Sequence, residues 1–213
     1  MSANSISDFG SLAALRRRGP KPAIAERCEL CAAAIGEGHP HLFEPRERRV
    51  QCACEACALL LGEQAGGRFR RIPTQVVFLN NCPISDAQWA SLGLPINLAF
   101  LFRLSANGKV VAIYPSPAGP TESLLALDSW AEILAEEPRL RELRDDVEAL
   151  LVNRLAEPYQ YFIAPIDQCY RLVGIIRTHW RGFTGGTEVW KQVAHYFDEL
   201  RERASPAHGA RHA

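Results

Sequence analysis

Two Cys-x-x-Cys pairs constrain the fold of this chain more than any other feature of its sequence. Cys28 and Cys31 form the first pair, and Cys54 and Cys57 form the second. Each pair can turn two sulfur atoms towards one point, and two pairs complete the tetrahedral shell of a structural zinc site. Residues 27–67 are too poor in aliphatic side chains to build a core alone, so a metal has to supply much of their folding free energy. The sequence therefore predicts a zinc-binding module in this region.

The segment between the two pairs is long enough for a β-hairpin. We predict strands at His41–Glu44 and Arg49–Cys52, a turn at residues 45–48, and a helix that starts within residues 58–61. The amide dipoles at a helix N-terminus would stabilise thiolates placed there. A cysteine knuckle, a hairpin and a helix in this order predict a treble-clef-like zinc module.

Three neighbouring residues leave the ligand set open. Cys52 could displace one of the four cysteines, while His39 and His41 could replace a thiolate or hold a second ion. Cysteines this close together also permit an iron–sulfur cluster or a rubredoxin-like iron centre. Neither pair has the Cys-Pro-x-Cys-Gly form typical of rubredoxin knuckles, so zinc is favoured and iron stays the alternative. Four thiolates also favour a closed structural site, because catalytic zinc sites keep one position open.

Residues 68–203 have the apolar content of a conventional domain. Four runs of apolar residues predict strands, at residues 76–79, 96–104, 109–114 and 159–164. Asn107 and Gly108 between the second and third runs tolerate the positive φ angles of a tight turn, so these two strands should pair as a hairpin.

Apolar side chains recur at helical spacing in four further segments, residues 127–134, 140–151, 169–180 and 189–200. We expect Thr121, Asp167 and Thr187 to cap the first, third and fourth helices, and Pro138 to open the second. A strand stays possible for the third. The sequence thus predicts an α+β protein, in which the zinc module precedes a mixed domain with an antiparallel, hairpin-centred sheet and several helices.

Composition excludes several classes of function. Lys+Arg and Asp+Glu number 24 each, so no net charge attracts the chain to nucleic acid or to an anionic membrane. Residues 1–10 lack the apolar core of a secretory signal, and no apolar run is long enough for membrane insertion. We therefore expect a cytoplasmic protein, in which cysteines bind metal rather than form disulfides. Residues 1–26 are predicted to be a flexible arm and residues 204–213 a disordered tail.

Candidate catalytic residues are few. Cys169 with Asp167 and His179 could be a thiol active site, but no oxyanion-hole pattern surrounds them, and free cysteine is most often buried. We therefore expect Cys169 to be a core residue. A metal- or thiol-dependent enzyme is the third interpretation of the function; an interaction protein is the first and an electron-transfer protein that uses the same cysteines is the second.

Basic residues beside the predicted zinc site favour a docking role. Arg46, Arg48 and Arg49 form a candidate partner-binding face, because the guanidinium fork pairs with carboxylates. Glu44 and Glu47 interleave with them, which argues against nucleic-acid binding. The favoured interpretation is a non-enzymatic, zinc-stabilised interaction protein.

Several strings in combination resemble an uncharacterised bacterial family, over about residues 26–202. They are Cys28-Glu-Leu-Cys31, Cys52-Ala-Cys-Glu-Ala-Cys57, Tyr114-Pro-Ser-Pro-Ala-Gly119, Asp146-Val-Glu-Ala-Leu-Leu-Val-Asn-Arg154, Pro165-Ile-Asp-Gln-Cys-Tyr170 and Trp180-Arg-Gly182. Genes of that family tend to lie beside those of nickel–iron hydrogenases and their maturation factors. The resemblance implies an accessory role in hydrogenase assembly or function, with a hydrogenase subunit or maturation factor as protein partner.

Overall fold

The computed structural model describes residues 26–206 except 65, 81, 83 and 124–126, and only the backbone at 127–129 and 206. The predicted arm therefore lies almost entirely outside the described residues, as does the tail from residue 207. The chain is α+β, as the sequence predicts, with two sheets.

The first sheet belongs to the cysteine-rich segment. Strands β1 (His41–Glu44) and β2 (Arg49–Cys52) form the predicted antiparallel hairpin, and β3 (Arg70–Arg71) pairs with the other edge of β1. Helix α1 (Glu55–Gly62) begins directly after Cys54, three residues earlier than predicted, so Cys57 lies inside it; the helix packs on β3. The order of knuckle, hairpin and helix is that of a treble clef. Because β3 lies beyond residue 67, we call residues 27–71 the N-terminal module.

The second sheet has seven strands in the order β10-β4-β9-β8-β5-β6-β7. Their bounds are β4 Val77–Phe78, β5 Leu98–Arg103, β6 Val110–Ser116, β7 Gly119–Ser123, β8 Glu148–Asn153, β9 Gln160–Pro165 and β10 Ser205–Pro206. Neighbouring strands are antiparallel except β10 and β4. The β5–β6 hairpin closes at Gly108, which has the left-handed φ of 69° that its turn requires.

Helices cover both faces of the large sheet. They are α2 (Asp86–Ser91), α3 (Leu127–Glu136), the 3₁₀ helix Pro138–Glu142, α4 (Ile166–His179) and α5 (Gly186–Arg203). Phe100 and Phe102 of β5 pack in the core under α4 and α5, whereas Leu101 packs with Trp89 and Trp130 of α2 and α3. The central strands are therefore buried on both sides.

The prediction of the second helix, over residues 140–151, is wrong. Only Pro138–Glu142 is helical, and Glu148–Asn153 forms β8 between β5 and β9. A strand that is buried on both faces is apolar throughout, and such a run also satisfies helical spacing. Leu150 and Leu151, predicted to share a helix face, point into opposite cores.

The predicted caps are also wrong. Thr121 lies in β7 opposite Tyr114, in a strand that the sequence did not indicate. The N-cap residues of α4 and α5 are Pro165 and Gly185 rather than Asp167 and Thr187. Both helices start earlier than predicted. At the C-terminus, β10 pairs two residues of the predicted tail with β4.

Strand β1 joins the N-terminal module to the rest of the protein. Its Leu42 packs with Cys28 and Ala58 on one side, and Phe43 packs in the core of the large sheet on the other. The Phe43 ring lies 6.2 Å from that of Tyr170 on α4. The hairpin is thus part of the main core as well as of the cysteine cluster.

We predict that Phe43→Ala lowers the free energy of unfolding by about 3–5 kcal/mol, because it leaves a cavity between hairpin and α4. All four tryptophans lie outside the module, so their fluorescence reports the large sheet while metal release reports the module. Urea unfolding should show both signals moving to lower concentration. Leu59→Ala is the control, since this leucine is 54% exposed and should matter little. An unchanged fluorescence transition in Phe43→Ala would show that the two parts unfold independently.

Candidate metal centre

The first cysteine pair lies in a tight knuckle. The N–H of Cys28 donates to the carbonyl of Ala33 at 2.8 Å, and the N–H of Ala32 donates to the carbonyl of Cys28 at 2.8 Å. Ala32, directly after the second cysteine, has a left-handed φ of 60°. The turn brings the two sulfurs to the same side of the backbone.

The second cysteine pair lies at the start of α1. Cys54 is the N-cap residue, with extended backbone, and Cys57 lies in the first turn. The N–H of Ala58 donates to the carbonyl of Cys54 at 2.9 Å, which begins the helix. The positive end of the helix dipole thus faces the sulfur cluster.

Glu29 fixes the knuckle against the hairpin. Its N–H donates to the carbonyl of Cys52 at 2.9 Å, and its carboxylate accepts from the N–H of Cys52 at 2.7 Å. The same carboxylate accepts from Arg49 at 2.6 Å. Hydrogen bonds between Glu29 and β2 therefore hold the knuckle against the hairpin.

The four sulfurs of the predicted site lie together. The Sγ atoms of Cys28, Cys31, Cys54 and Cys57 are all within 4.8 Å of one another. Cys31 and Cys54 are 3.6 Å apart, close to the ~3.8 Å edge of a tetrahedron with Zn–S bonds of about 2.3 Å. All seven cysteines are free. Four thiols so placed can bind a metal ion.

The environment of the cluster shifts the thiol pKa values in both directions. Burial raises the pKa of Cys28, but hydrogen bonds from the backbone N–H groups of Cys54, Cys31 and Leu30 outweigh it and lower the pKa to about 6. Hydrogen bonding with the Cys31 and Cys54 thiols raises the pKa of Cys57 to about 12. A divalent ion bound by these sulfurs would deprotonate its thiol ligands.

The three further ligand candidates lie in a separate group. The ligand atoms of His39, His41 and Cys52 are within 4.8 Å of one another, and none of the three belongs to the four-cysteine group. Burial raises the pKa of Cys52, and the hydrogen bond to Asp167 raises that of His41. Sequence spacing did not reveal that Asp167 on α4 meets this group.

The arginines of the predicted partner-binding face differ in their contacts. Arg48 pairs with Glu122 of β7 at 2.6 Å, and Arg49 pairs with Glu29 at 2.6 Å. Arg46 is exposed, and no hydrogen bond or ion pair engages it within the described residues. Two of the three arginines thus already form ion pairs within the molecule.

The thiol candidates outside the cluster are buried. Cys169 is fully buried in the main core, as predicted, and its pKa is well above the usual value because of burial and then the charge of Asp167. Burial also raises the pKa of Cys82 to about 12. Neither cysteine is exposed or ionised near neutral pH.

A cleft of about 590 Å³ lies beside β4 and β9 and includes Cys82. Arg154, which is 4% exposed, donates to the carbonyls of Ile84 and Ser85 and lies 4.3 Å from the centre of the Tyr159 ring. These hydrogen bonds hold residues 84 and 85, directly before α2, in place.

Comparison with known proteins identifies one family. The model of a family of unknown function, DUF5947, matches residues 27–204, which include both metal-ligand groups. No curated protein and no solved structure matches the chain. None of the helices in the described part of the chain is long and apolar enough to cross a membrane.

We predict that Ala32→Gly stabilises the module by about 1 kcal/mol, because glycine relieves the cost of a left-handed alanine. The measurement is the urea concentration at which half of the metal is released. Ala33→Gly is the matched control, since it is also exposed and is not among the residues with positive φ. It should destabilise, and a shift of both variants in the same direction would contradict the prediction.

We predict that Cys54→Ser abolishes stoichiometric metal binding, because a hydroxyl is a poor replacement for a thiolate ligand. After a mild chelator has removed loosely bound ions, atomic emission should find about one metal ion per wild-type chain and a clear deficit in the variant. Cys82→Ser, which is outside the cluster, should retain the wild-type content. Equal metal content in the two variants would remove Cys54 from the ligand set.

Proposed function

We propose that this protein, which belongs to the DUF5947 family of unknown function, is a non-enzymatic accessory protein whose zinc-stabilised module docks onto another protein. The observation that carries the proposal is the cluster of four cysteine sulfurs within 4.8 Å. Four protein thiolates fill the coordination shell of zinc and leave no position for a substrate. The ion then has a structural task, which is to hold the knuckle, hairpin and helix as one rigid surface.

An electron-transfer role is the second candidate. The backbone N–H groups of Cys54, Cys31 and Leu30 lower the pKa of the Cys28 thiol, and N–H groups that stabilise a thiolate in this way also tune the potential of iron–thiolate centres. The same four cysteines would then hold iron in place of zinc.

Metal content separates the two candidates. We predict that protein purified without oxygen is colourless and contains about one zinc per four-cysteine cluster, with no stoichiometric iron. A coloured protein with stoichiometric iron, with or without sulfide, would favour the electron carrier and overturn the zinc assignment.

The hairpin turn supports a docking role. Arg48 of the turn pairs with Glu122 of β7, and the exposed Arg46 lies two residues before Arg48. A planar guanidinium that has no partner within the described residues can pair bidentately with a carboxylate of another protein. We infer that the partner offers an acidic patch, with Arg48 and Arg49 contributing charge at the rim.

The family resemblance suggests which partner to test first. Since related genes tend to lie beside nickel–iron hydrogenase genes, a hydrogenase subunit or maturation factor is the first choice. The protein would then assist the assembly or function of that enzyme without carrying out a reaction itself.

We predict that Arg46→Glu weakens binding to the purified hydrogenase partner by about tenfold or more, an effect of about 1.4 kcal/mol. Surface plasmon resonance at two salt concentrations measures it, and added salt should weaken the wild-type complex. Arg141→Glu is the control, because this arginine is also exposed but lies on the 3₁₀ helix. If both variants bind like wild type, the docking face is elsewhere. If the wild type binds no hydrogenase subunit or maturation factor, the hydrogenase proposal is wrong.

A further inference from the structure

His41 and Cys52 face each other across the hairpin. They are direct cross-strand partners in the β1–β2 register, so their side chains lie on the same face. That face is turned towards α4. His41 makes a hydrogen bond with Asp167 of α4, and Phe43, two residues further along β1, packs on Tyr170 of α4. Leu42 and the four-cysteine group lie on the opposite face.

His39 completes the group from the segment before β1. Its ring lies 4.9 Å from that of His41, at an interplanar angle of 88°. Ligand atoms of the two rings and of Cys52 lie within 4.8 Å of one another. Two imidazoles and a thiol are thus within reach of one ion.

Both rings are oriented by their Nδ1 atoms. His41 Nδ1 lies 2.7 Å from the Asp167 carboxylate, and His39 Nδ1 lies 2.9 Å from the carbonyl of Gly36 and 3.5 Å from the Glu26 carboxylate. Carbonyl and carboxylate oxygens only accept, so each Nδ1 carries the proton and donates. The lone pair of each neutral ring is then on Nε2, the arrangement found in metal-binding histidines.

The Nε2 atom of His39 makes no hydrogen bond within the described residues. It is buried, in a side chain that is only 11% exposed. Buried polar atoms are nearly always paired, so an unpaired one needs an explanation. A bound ion provides it, because the ion would accept the lone pair that no protein donor reaches.

We propose that His39, His41 and Cys52 form a second metal site, for a borderline-soft divalent ion such as Zn²⁺, Co²⁺ or Ni²⁺. Mixed imidazole and thiolate ligands suit these ions. Three protein ligands leave the fourth position open to water or to another ligand, unlike the four-cysteine cluster. His41 is 29% exposed, so an ion can enter from solvent. The second ion is therefore exchangeable, whereas the first is enclosed by four thiolates.

Asp167 is the positioning residue of this site. Its carboxylate holds His41 and is itself fixed by the N–H of Gln168 at 2.8 Å. Because Asp167 lies on α4 and the ligands lie in the N-terminal module, the site bridges the two parts of the protein. Such carboxylate–histidine–metal contacts typically change metal affinity by about 10–100-fold.

The test is a titration with Co²⁺, whose tetrahedral complexes absorb visible light. Zinc-loaded protein is first treated with a mild chelator, which removes the exchangeable ion, and zinc is counted before and after cobalt is added. We expect one Co²⁺ to bind per chain while the zinc of the four-cysteine cluster stays in place. His39→Gln, His41→Gln and Cys52→Ser should abolish cobalt binding, and Asp167→Asn should weaken it about 10–100-fold.

Controls separate this site from the four-cysteine cluster. His195→Gln, at an exposed position on α5, should bind cobalt like wild type. Retention of zinc in each variant shows that the module is folded, and His39→Gln, outside the strands, is the variant least disturbing to the hairpin. The proposal is overturned if wild type binds no cobalt beyond zinc, if cobalt only displaces zinc, or if folded His39→Gln binds it unchanged.

Discussion

Strand β1 is buried on both faces, and its packing connects the N-terminal module to the large sheet. Its Leu42 packs with the cysteine cluster and its Phe43 with α4, so one short strand contributes to two cores. A sheet of three short strands could not bury enough apolar surface to be stable alone. The metal centre supports one side of β1 and the large sheet supports the other.

This arrangement gives the two ligand groups different structural roles. The four cysteines all lie in the N-terminal module, so an ion held there acts directly on that module and on the large sheet only through β1. The histidine–cysteine group is oriented by Asp167 on α4, so its geometry depends on how the module packs against the large sheet. Binding at the second group is thereby coupled to the packing at Phe43, since both lie on the same face of the hairpin.

The sequence predicted the parts that depend on short-range spacing. Two Cys-x-x-Cys pairs, and the turn between His41–Glu44 and Arg49–Cys52, are local features, and the hairpin has the predicted bounds. The prediction of the turn at Asn107 and Gly108 is confirmed for the same reason, since Gly108, the residue with the positive φ, lies inside it. Local chemistry is thus sufficient where a few neighbouring residues determine the backbone.

The caps predicted at Asp167 and Thr187 failed locally, because both helices start earlier than predicted. The other failures arose where long-range packing decides. The run that became β8 has helical spacing, but its neighbours β5 and β9 bury both of its faces, and no local signal shows that. The contact between His41 and Asp167 joins residues 126 positions apart, so spacing could not reveal it. The register alone, once β1 and β2 are paired, places His41 opposite Cys52. Pairing a predicted hairpin residue by residue would therefore have found two of the three second-site ligands from sequence, while the residue that orients them required the fold.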